Sequence, residues 1–231
     1  MSDKPKTDEK PSRRSWRAWT PRQLRARLEA RTVEEFREVV MVKDLASDKS
    51  VVKGEMRVFE GDRQAVERFC GQHDELQRQW SKCASYLDNG YHALLAEVDG
   101  EVVGHIWWHD HRLDPANVHP HLVRYGLELE PDTAWGFDLY LLPDSRGRGA
   151  SNDFFALFRR TLRDLGYTKV YGHVDAKNLP AVWLHKLQGY KKVKTVEGRL
   201  YCKCLLHSDG RWLIRNPPVG VKQKFDFRPL W

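Results

Sequence analysis

Cysteine is scarce in this sequence, and its few cysteines show no metal-binding pattern. Only four occur in 231 residues, Cys70, Cys83, Cys202 and Cys204, and no two of them form a C-x-x-C pair. Cys202 and Cys204 fall on the same face of a predicted strand, where two thiols are poorly placed to bridge each other. Because no apolar leader segment is apparent either, we expect reduced thiols and a cytoplasmic protein.

Long apolar runs are also absent, which argues against a membrane-spanning protein. No stretch approaches the roughly 18 consecutive apolar residues that a transmembrane helix requires, and 31% of the residues are charged. A chain of 231 residues can bury one good hydrophobic core. We therefore expect one globular domain over residues 32–207, preceded by an arm (1–31) and followed by a strand and tail (208–231).

Positive charge is concentrated at one end of the chain. The formal net charge is +7, and residues 1–31 contain ten basic and four acidic side chains, so the rest of the chain is close to neutral. The arm could therefore contact an anionic membrane or a nucleic acid. The alternative is that its short predicted helix packs on the protein's own core. We expect the aromatic tail to pack on the domain or on a second subunit, as in a homodimer.

Apolar periodicity predicts strands and helices in a mixed arrangement. Alternation predicts strands near 37–45 and 54–61, helices within 63–87, and a hairpin whose turn is Asp99-Gly100. The order then runs strand 135–142, helix 150–167, strand 168–176 and helix 179–190, before closing strands. Such a crossover implies two neighbouring parallel strands. We expect an α/β (α+β) fold with a mixed, mostly antiparallel sheet flanked by helices.

The loop LLPDSRGRGAS at 141–151 offers much backbone and little side chain. It places Arg146, Gly147, Arg148 and Gly149 directly before a predicted helix, whose first N–H groups have no partner within the helix. Such a loop is typical of phosphate binding, because glycine permits positive φ and arginine adds charge-assisted hydrogen bonds. No lysine follows as in a P-loop, and Asn152 replaces the third glycine of a dinucleotide fingerprint. The structural alternative is a plain glycine turn.

A second motif follows in the next predicted strand and helix. Asn178, Ala181, His185, Gly189 and Tyr190 keep a fixed spacing that begins 32 residues after Arg146. Together with the pattern P-x-x-R-G-x-G-A-S, this motif resembles the acyl-CoA site of the GNAT superfamily of N-acyltransferases, over roughly residues 55–207. The family usually has tyrosine at the position of His185. The resemblance implies that strands 135–142 and 168–175 are parallel and splay apart around acetyl-CoA, and that no metal is needed.

The resemblance also implies a role for each matching residue. Asp138 would be the base that takes a proton from the acceptor amine, and His185 the acid that protonates the leaving thiolate. His173 and Asp175 are alternative bases. Asp138 could instead fix a loop, and His185 could only contact the cofactor or fill the groove. The residues implied in acetyl-CoA binding are Leu141, Leu142, Arg146, Gly147, Arg148, Gly149, Ala150, Ser151, Asn178 and Ala181.

Histidine and tryptophan are concentrated between residues 105 and 135. Aromatic walls with a few polar groups are typical of small-ligand pockets. The histidines from His105 to His121 also raise the question of a metal site, but no known metal-binding spacing is present, and we expect no metal. The residues expected to line the acceptor pocket are His105, Trp107, His109, Trp135, Tyr140 and His173.

These observations favour a cytoplasmic N-acetyltransferase that transfers an acetyl group from acetyl-CoA directly to a primary amine. A small molecule or amino sugar is the expected acceptor, because the sequence indicates no acidic groove for basic peptides. Two alternatives stay open. One is a catalytically weak or inactive acyl-CoA-binding module, consistent with the missing tyrosine. The other is a protein or peptide N-acetyltransferase.

Overall fold

The computed structural model describes residues 33–147, 149–201, 204–207 and 212–214. The arm at 1–31, Arg148, Cys202 and most of the tail at 208–231 lie outside the described residues. The strands are β1 (Val33–Asp44), β2 (Arg57–Gly61), β3 (His92–Val98), β4 (Glu101–Asp110), β5 (Thr133–Leu141), β6 (Lys169–Asp175), β7 (Lys191–Tyr201), β8 (Cys204–His207) and β9 (Trp212–Ile214). The α-helices are α1 (Arg63–Gln72), α2 (Asp74–Gln77), α3 (Trp80–Asp88), α4 (Pro120–Tyr125), α5 (Ala150–Asp164) and α6 (Leu179–Leu187).

Within the described residues the strands form one nine-stranded sheet, in the order β2-β3-β4-β5-β6-β1-β7-β8-β9. Each neighbouring pair is antiparallel except β5 and β6, which are parallel. The mixed, mostly antiparallel sheet predicted from the sequence is therefore confirmed. The hairpin is confirmed as well, because β3 and β4 meet at a turn in which Asp99 and Gly100 both have positive φ.

Strand β1 lies in the interior of the sheet, between β6 and β7. Val40 pairs with His173 of β6, and Val39 pairs with Thr195 of β7. The sequence predicted a strand in this region but did not indicate which strands it pairs with. β1 hydrogen-bonds with the backbone edges of both β6 and β7. A segment that precedes the two sequence motifs therefore completes the sheet.

Two hydrophobic layers cover the two faces of the sheet. We call the face covered by α5 and α6 the α5 side; its core includes Phe154, Phe158 and Leu162, which recur every four residues along α5 and are fully buried. We call the other face the α1–α4 side; its core includes Phe69 of α1, Leu76 of α2, Cys83 of α3 and Leu122 of α4. No helix of the described residues has the length and apolar character needed to cross a membrane.

A β-bulge interrupts β5 at Asp138. On β4, Trp107 and His105 are two residues apart, but their partners on β5, Phe137 and Tyr140, are three apart. The extra residue is Asp138. Its φ of 50° lies in the left-handed region that non-glycine residues rarely adopt. After the bulge, Leu139 and Leu141 pack on the α5 side and Tyr140 on the α1–α4 side.

The helical region at 63–87 differs in detail from the prediction. The sequence suggested two helices, whereas the structure has the three short helices α1, α2 and α3. The break after α1 occurs at His73, whose φ of −131° and ψ of 114° are extended rather than helical. The region 110–134, predicted mainly as loop with one helical turn, contains α4.

Candidate active site

A cleft opens where β5 and β6 separate. Their parallel pairing extends only from Thr133 with Lys169 to Trp135 with Tyr171. Beyond that point the backbone edge of β5 that faces β6 has no strand partner in the described part of the chain, and a cleft of about 70 Å³ begins. Asp138, His173 and His185, which come from three different elements, all line it. The remaining lining residues are Ile106, Gly136, Phe137, Leu139, Phe155, Phe158, Val170, Tyr171, Gly172 and Tyr190.

The glycine loop joins the end of β5 to the N-terminus of α5. Gly147 has a φ of 111° and Gly149 a φ of 89°, and a Cβ at either position would meet no atom within 4 Å. Glycine is therefore required here by backbone conformation rather than by lack of space. Within the described residues the amide N–H groups of Gly147 and Gly149 make no hydrogen bond, and no side chain caps α5. Unpaired amides at a helix N-terminus can bind an anion such as phosphate.

Other amides in this loop that were predicted to contact the cofactor donate instead to carbonyls of the protein itself. The amide of Arg146 donates to the carbonyl of Pro143 (3.1 Å), that of Ala150 to the carbonyl of Gly147 (2.8 Å), and that of Leu142 to the carbonyl of Val103 (2.8 Å). These three amides therefore stabilise the loop and its attachment to β4. The amides of Gly147 and Gly149 remain available for the cofactor, whereas those of Arg146 and Ala150 do not. Ser151 lies in the first turn of α5.

The Arg146 side chain turns back onto β5. Its Nε donates to the carbonyl of Leu141 (2.8 Å), and its guanidinium lies over the ring of Tyr140, 5.4 Å from the ring centroid. The carbonyl of Leu141 is thus already engaged. We expected the guanidinium to reach phosphate, but in this arrangement it holds the loop against the end of the strand.

The second motif is built on the geometry of α6. Asn178 caps this helix, because its Oδ1 accepts from the amide of Ala181 (3.2 Å). The carbonyl of Ala181 in turn accepts from Nδ1 of His185 (2.8 Å). Since a carbonyl only accepts, the imidazole proton sits on Nδ1 and leaves Nε2 as an acceptor. The spacings of three and seven residues are thus explained by one cap and one turn-to-turn hydrogen bond.

His185 lies between two aromatic rings on the α5 side. Its centroid is 5.1 Å from that of Phe155 and 5.0 Å from that of Tyr190. Burial in this setting lowers the pKa of His185 below its ordinary value. The imidazole is therefore neutral at neutral pH, and it must first be protonated before it can act as an acid.

Asp138 forms an ion pair with a residue that the sequence analysis missed. Lys82 of α3 places its Nζ 2.7 Å from Oδ2 of Asp138, and both side chains are partly exposed. The strained φ of Asp138 is the kind of backbone feature that concentrates at functional sites. The same ion pair also holds α3 against β5, so a structural role for Asp138 stays open.

The expected acceptor pocket is not an open pocket. His105, Trp107 and Trp135 are 0% exposed and His109 is 1% exposed. They are packed against the helices of the α1–α4 side, because residues 105, 107 and 109 all project from the same face of β4. Tyr140 stacks on His105 and donates its hydroxyl to Glu75 of α2. Of the six predicted pocket residues, His173 is the one that lines the cleft.

Burial strongly affects the histidines of this layer. It lowers the pKa of His105 to about 4, and the same cause lowers the pKa of His109 to about 4. Both ring nitrogens of His105 and Nε2 of His109 have no hydrogen-bond partner among the described residues. These side chains are therefore neutral imidazoles in a buried layer.

A cluster of polar side chains around His173 was also not predicted from the sequence. Glu38 of β1 accepts from the hydroxyl of Tyr125 (2.6 Å) and from Arg124 (3.2 Å). The ring of His121 contacts His173 edge-on, with centroids 4.2 Å apart. The available signal was a glutamate at the start of the apolar run Val39–Val42. Its partners could not be inferred, because they depend on where β1 enters the sheet.

Sequence comparison identifies one family. The family model described as Acetyltransferase (GNAT) family matches residues 57–190, which extend from β2 to the end of the second motif. Comparison with curated proteins finds no match.

Comparison with solved structures finds similar folds at low identity. A functionally unknown conserved protein from Staphylococcus epidermidis has a TM-score of 0.53 and 13% identity, covering 77% of this chain and 66% of that one. A GCN5-related glucosamine N-acetyltransferase region in a fungal multi-domain GH3 beta-N-acetylglucosaminidase has a TM-score of 0.55 and 14% identity, covering 76% and 22%. A GCN5-related N-acetyltransferase-like protein from Streptococcus suis has a TM-score of 0.48 and 15% identity, covering 77% and 66%. This chain thus spans just under two thirds of the two bacterial proteins. For the two structures with TM-scores above 0.5 the likeness is one of fold.

Proposed function

The chain belongs to the GNAT family of acetyltransferases, whose model matches more than half of its length, and from this membership we propose that it transfers an acetyl group from acetyl-CoA to a primary amine. One observation carries the proposal. The cleft lies along β5, the strand that ends in the glycine loop, and in that loop the amides of Gly147 and Gly149 at the N-terminus of α5 are unpaired within the described residues. The bound thioester would supply an activated acetyl group, and the protein would supply its position.

The cradle for the donor is built from backbone. The amides of Gly147 and Gly149 would hold pyrophosphate oxygens, assisted by the dipole of the 15-residue helix α5. The unpaired edge of β5 beyond Gly136 would pair with the amide groups of the pantetheine arm, as an additional strand would. These backbone groups match the pyrophosphate and the amide groups of an acyl-CoA in their hydrogen-bonding chemistry.

Asp138 is the proposed base for the acceptor ammonium. Its carboxylate already holds the ammonium of Lys82 at 2.7 Å, so the site recognises a cation of this kind. An incoming amine would compete with Lys82 for Oδ2 before it loses its proton. His173, on the opposite wall of the cleft, is the alternative base.

His185 is the proposed acid, and it can act as one only when its imidazole is protonated. Only the imidazolium can give a proton from Nε2, and the lowered pKa makes that form a minority at neutral pH. This observation favours the second candidate, a module that binds acyl-CoA with little turnover. The two functions differ in catalytic rate and share the donor site.

We propose a small molecule or amino sugar as the acceptor. The cleft is lined by Asp138 and His173 among mainly apolar side chains, which supports an acceptor with one compact cationic group. The glucosamine N-acetyltransferase region of the fungal enzyme shares this fold, which makes glucosamine a suitable first acceptor to test. A peptide amine remains the alternative acceptor.

Calorimetric titration of acetyl-CoA tests the donor site. We expect binding by the unaltered protein and a loss of at least about 30-fold in affinity in Gly147→Val/Gly149→Val, because charge-assisted hydrogen bonds to two amides are worth about 2 kcal/mol or more. Gly166→Val is the matched control. Gly166 also has positive φ and open space around it, but it follows the C-terminus of α5.

The outcomes separate the candidate functions. Binding that is lost in the double variant and kept in the control supports the donor site, and release of free CoA thiol with glucosamine then distinguishes the enzyme from the binding module. Absence of binding in the unaltered protein would contradict both.

A further inference from the structure

Three metal-ligating side chains meet at the edge of the cleft, although they are far apart in the sequence. Glu38 lies on β1, His121 on α4 and His173 on β6, and each offers one ligand atom within 4.8 Å of the other two. All three side chains are half-buried. We propose that Glu38, His121 and His173 form a binding site for a divalent transition-metal ion such as Zn²⁺.

The donor set fits this class of ion. Two imidazole nitrogens and one carboxylate oxygen are ligands that Zn²⁺, Co²⁺ and Ni²⁺ accept, whereas Mg²⁺ and Ca²⁺ prefer oxygen alone. Nδ1 of His173 is buried and has no hydrogen-bond partner among the described residues. Such groups are uncommon in native proteins, and a metal ion is one way to satisfy them.

Neighbouring residues already fix two of the ligands. Oε2 of Glu38 accepts from Tyr125 and Arg124, which leaves Oε1 available within the described part of the chain. The ring of His173 stacks on Trp135, with 3° between the ring planes. Partners of this kind orient ligands in known metal sites. The three ligands are therefore held by a packed structure rather than by exposed side chains alone.

The local charge limits how tightly an ion can bind. The guanidinium of Arg124 lies 3.2 Å from Glu38 and repels a second cation. We therefore expect micromolar affinity, weaker than that of structural zinc sites. Three protein ligands also leave a coordination position open, as in metal sites that bind a further ligand.

The site is separate from the proposed donor cradle and does not depend on it. His173 lines the cleft, whereas the glycine loop lies beyond the end of β5 and is not among the residues that line it. Sequence spacing gave no indication of the site and led us to expect no metal. Long-range pairing of β1 with β6 brings Glu38 to it.

Titration with Co²⁺ tests the site directly. Untagged, chelator-treated full-length protein is titrated with CoCl₂ while visible absorption is recorded, and ZnCl₂ is titrated by calorimetry. We expect one Co²⁺ per chain, with an affinity reduced at least about tenfold in His173→Asn and in Glu38→Gln. Glu38→Gln preserves the shape of the side chain and its bond from Tyr125, so it should fold even if His173→Asn does not.

His92→Asn is the matched control, since His92 bonds to Glu60 at 2.9 Å and lies outside the cluster. We expect it to bind Co²⁺ like the unaltered protein. The proposal is overturned if the unaltered protein binds neither ion, or if Glu38→Gln binds Co²⁺ as tightly as His92→Asn does. Neither result would affect the acetyl-CoA titration, so the two proposals fail independently.

Discussion

The two faces of the sheet differ in the polar groups that they bury. The α5 side is an apolar layer, and its fully buried cation, Arg159, donates Nε to Asp48 at 2.7 Å and contacts Ser50 and Gln188. The α1–α4 side contains imidazole and indole rings among its buried side chains. Polar atoms without a partner in the described residues occur there in His105, Trp107, His109, Trp135 and His173.

This difference has an energetic meaning. A buried polar group without a hydrogen bond costs roughly 1–3 kcal/mol. On the α5 side Nη1 of Arg159 is in this position within the described residues, so the α1–α4 side carries more of this cost rather than all of it. Proteins tolerate such costs mainly where function requires them. The α5 side is the scaffold that carries the loop we propose as the donor cradle. The α1–α4 side carries Asp138 and His173, the residues that we propose as bases.

Removing a large side chain from the scaffold side should have the largest effect. Phe158 is fully buried, and its ring lies 3.0 Å from the Cβ that an alanine would have at Gly136. We expect Phe158→Ala to lower the free energy of unfolding by about 3–5 kcal/mol, through lost burial and the cavity that remains. Urea denaturation followed by circular dichroism measures it. A loss below 1 kcal/mol would mean that the α5 side is not the tightly packed scaffold.

The histidines of the other face should make the protein sensitive to acid. Above about pH 6.5 His105 and His109 are neutral in both the folded and the unfolded chain and contribute nothing. As the pH falls, the unfolded chain takes up protons that the folded chain refuses until about pH 4. The free energy of unfolding should therefore fall between about pH 6.5 and 4, by about 3 kcal/mol for each of the two histidines.

Denaturation of His105→Leu across this pH range tests the assignment. The variant removes one of these protonation sites and two unpaired nitrogens, so we expect a shallower loss in acid and equal or greater stability at pH 7. His111→Leu is the control, because His111 is exposed. If both variants follow the unaltered protein through the whole pH range, the buried histidines do not control acid stability.

The sequence predicted the local features of the site and not its long-range contacts. The glycine loop before α5 was predicted, because it depends on residues within a few positions along the chain. The cap of Asn178 on α6 is equally local, although Asn178 was predicted only as a cofactor contact. The place of β1 depends on pairing with strands more than a hundred residues away, so the neighbours of Glu38 could not be inferred. The bulge at Asp138 depends on β4, where a Cβ on Gly104 would lie 2.4 Å from the carbonyl of Tyr140.

The burial of the acceptor-pocket residues has a different cause. Alternation along β4 correctly predicts that His105, Trp107 and His109 share a face, but it cannot show that α1 to α4 cover that face completely. A pattern of polar and aromatic residues is the same for an open pocket and for a closed layer. The three-dimensional packing of four short helices decides between them.

Comparison of two substitutions, one on each side of the sheet, separates their proposed chemical roles. Asp138→Asn should lower kcat at least about 100-fold, which corresponds to about 2.7 kcal/mol, with little change in KM for acetyl-CoA, because it removes a base and not the donor cradle. His185→Gln should lower kcat by less, about tenfold, and should alter KM for acetyl-CoA, since His185 lies on the donor side of the cleft. Steady-state kinetics with a thiol reagent measures both.

The pH profile of kcat decides the acid role of His185. Burial lowers its pKa below 6.5, so the imidazolium that an acid requires declines as the pH rises through that range. If His185 is the acid, its contribution, measured as the ratio of kcat in the unaltered protein to kcat in His185→Gln, should shrink from pH 5.5 to 8. A ratio that is constant over this range would remove the acid role and leave His185 as a contact for the donor. Loss of activity in Asp138→Asn would then still identify the α1–α4 side as the one that carries the proton transfer.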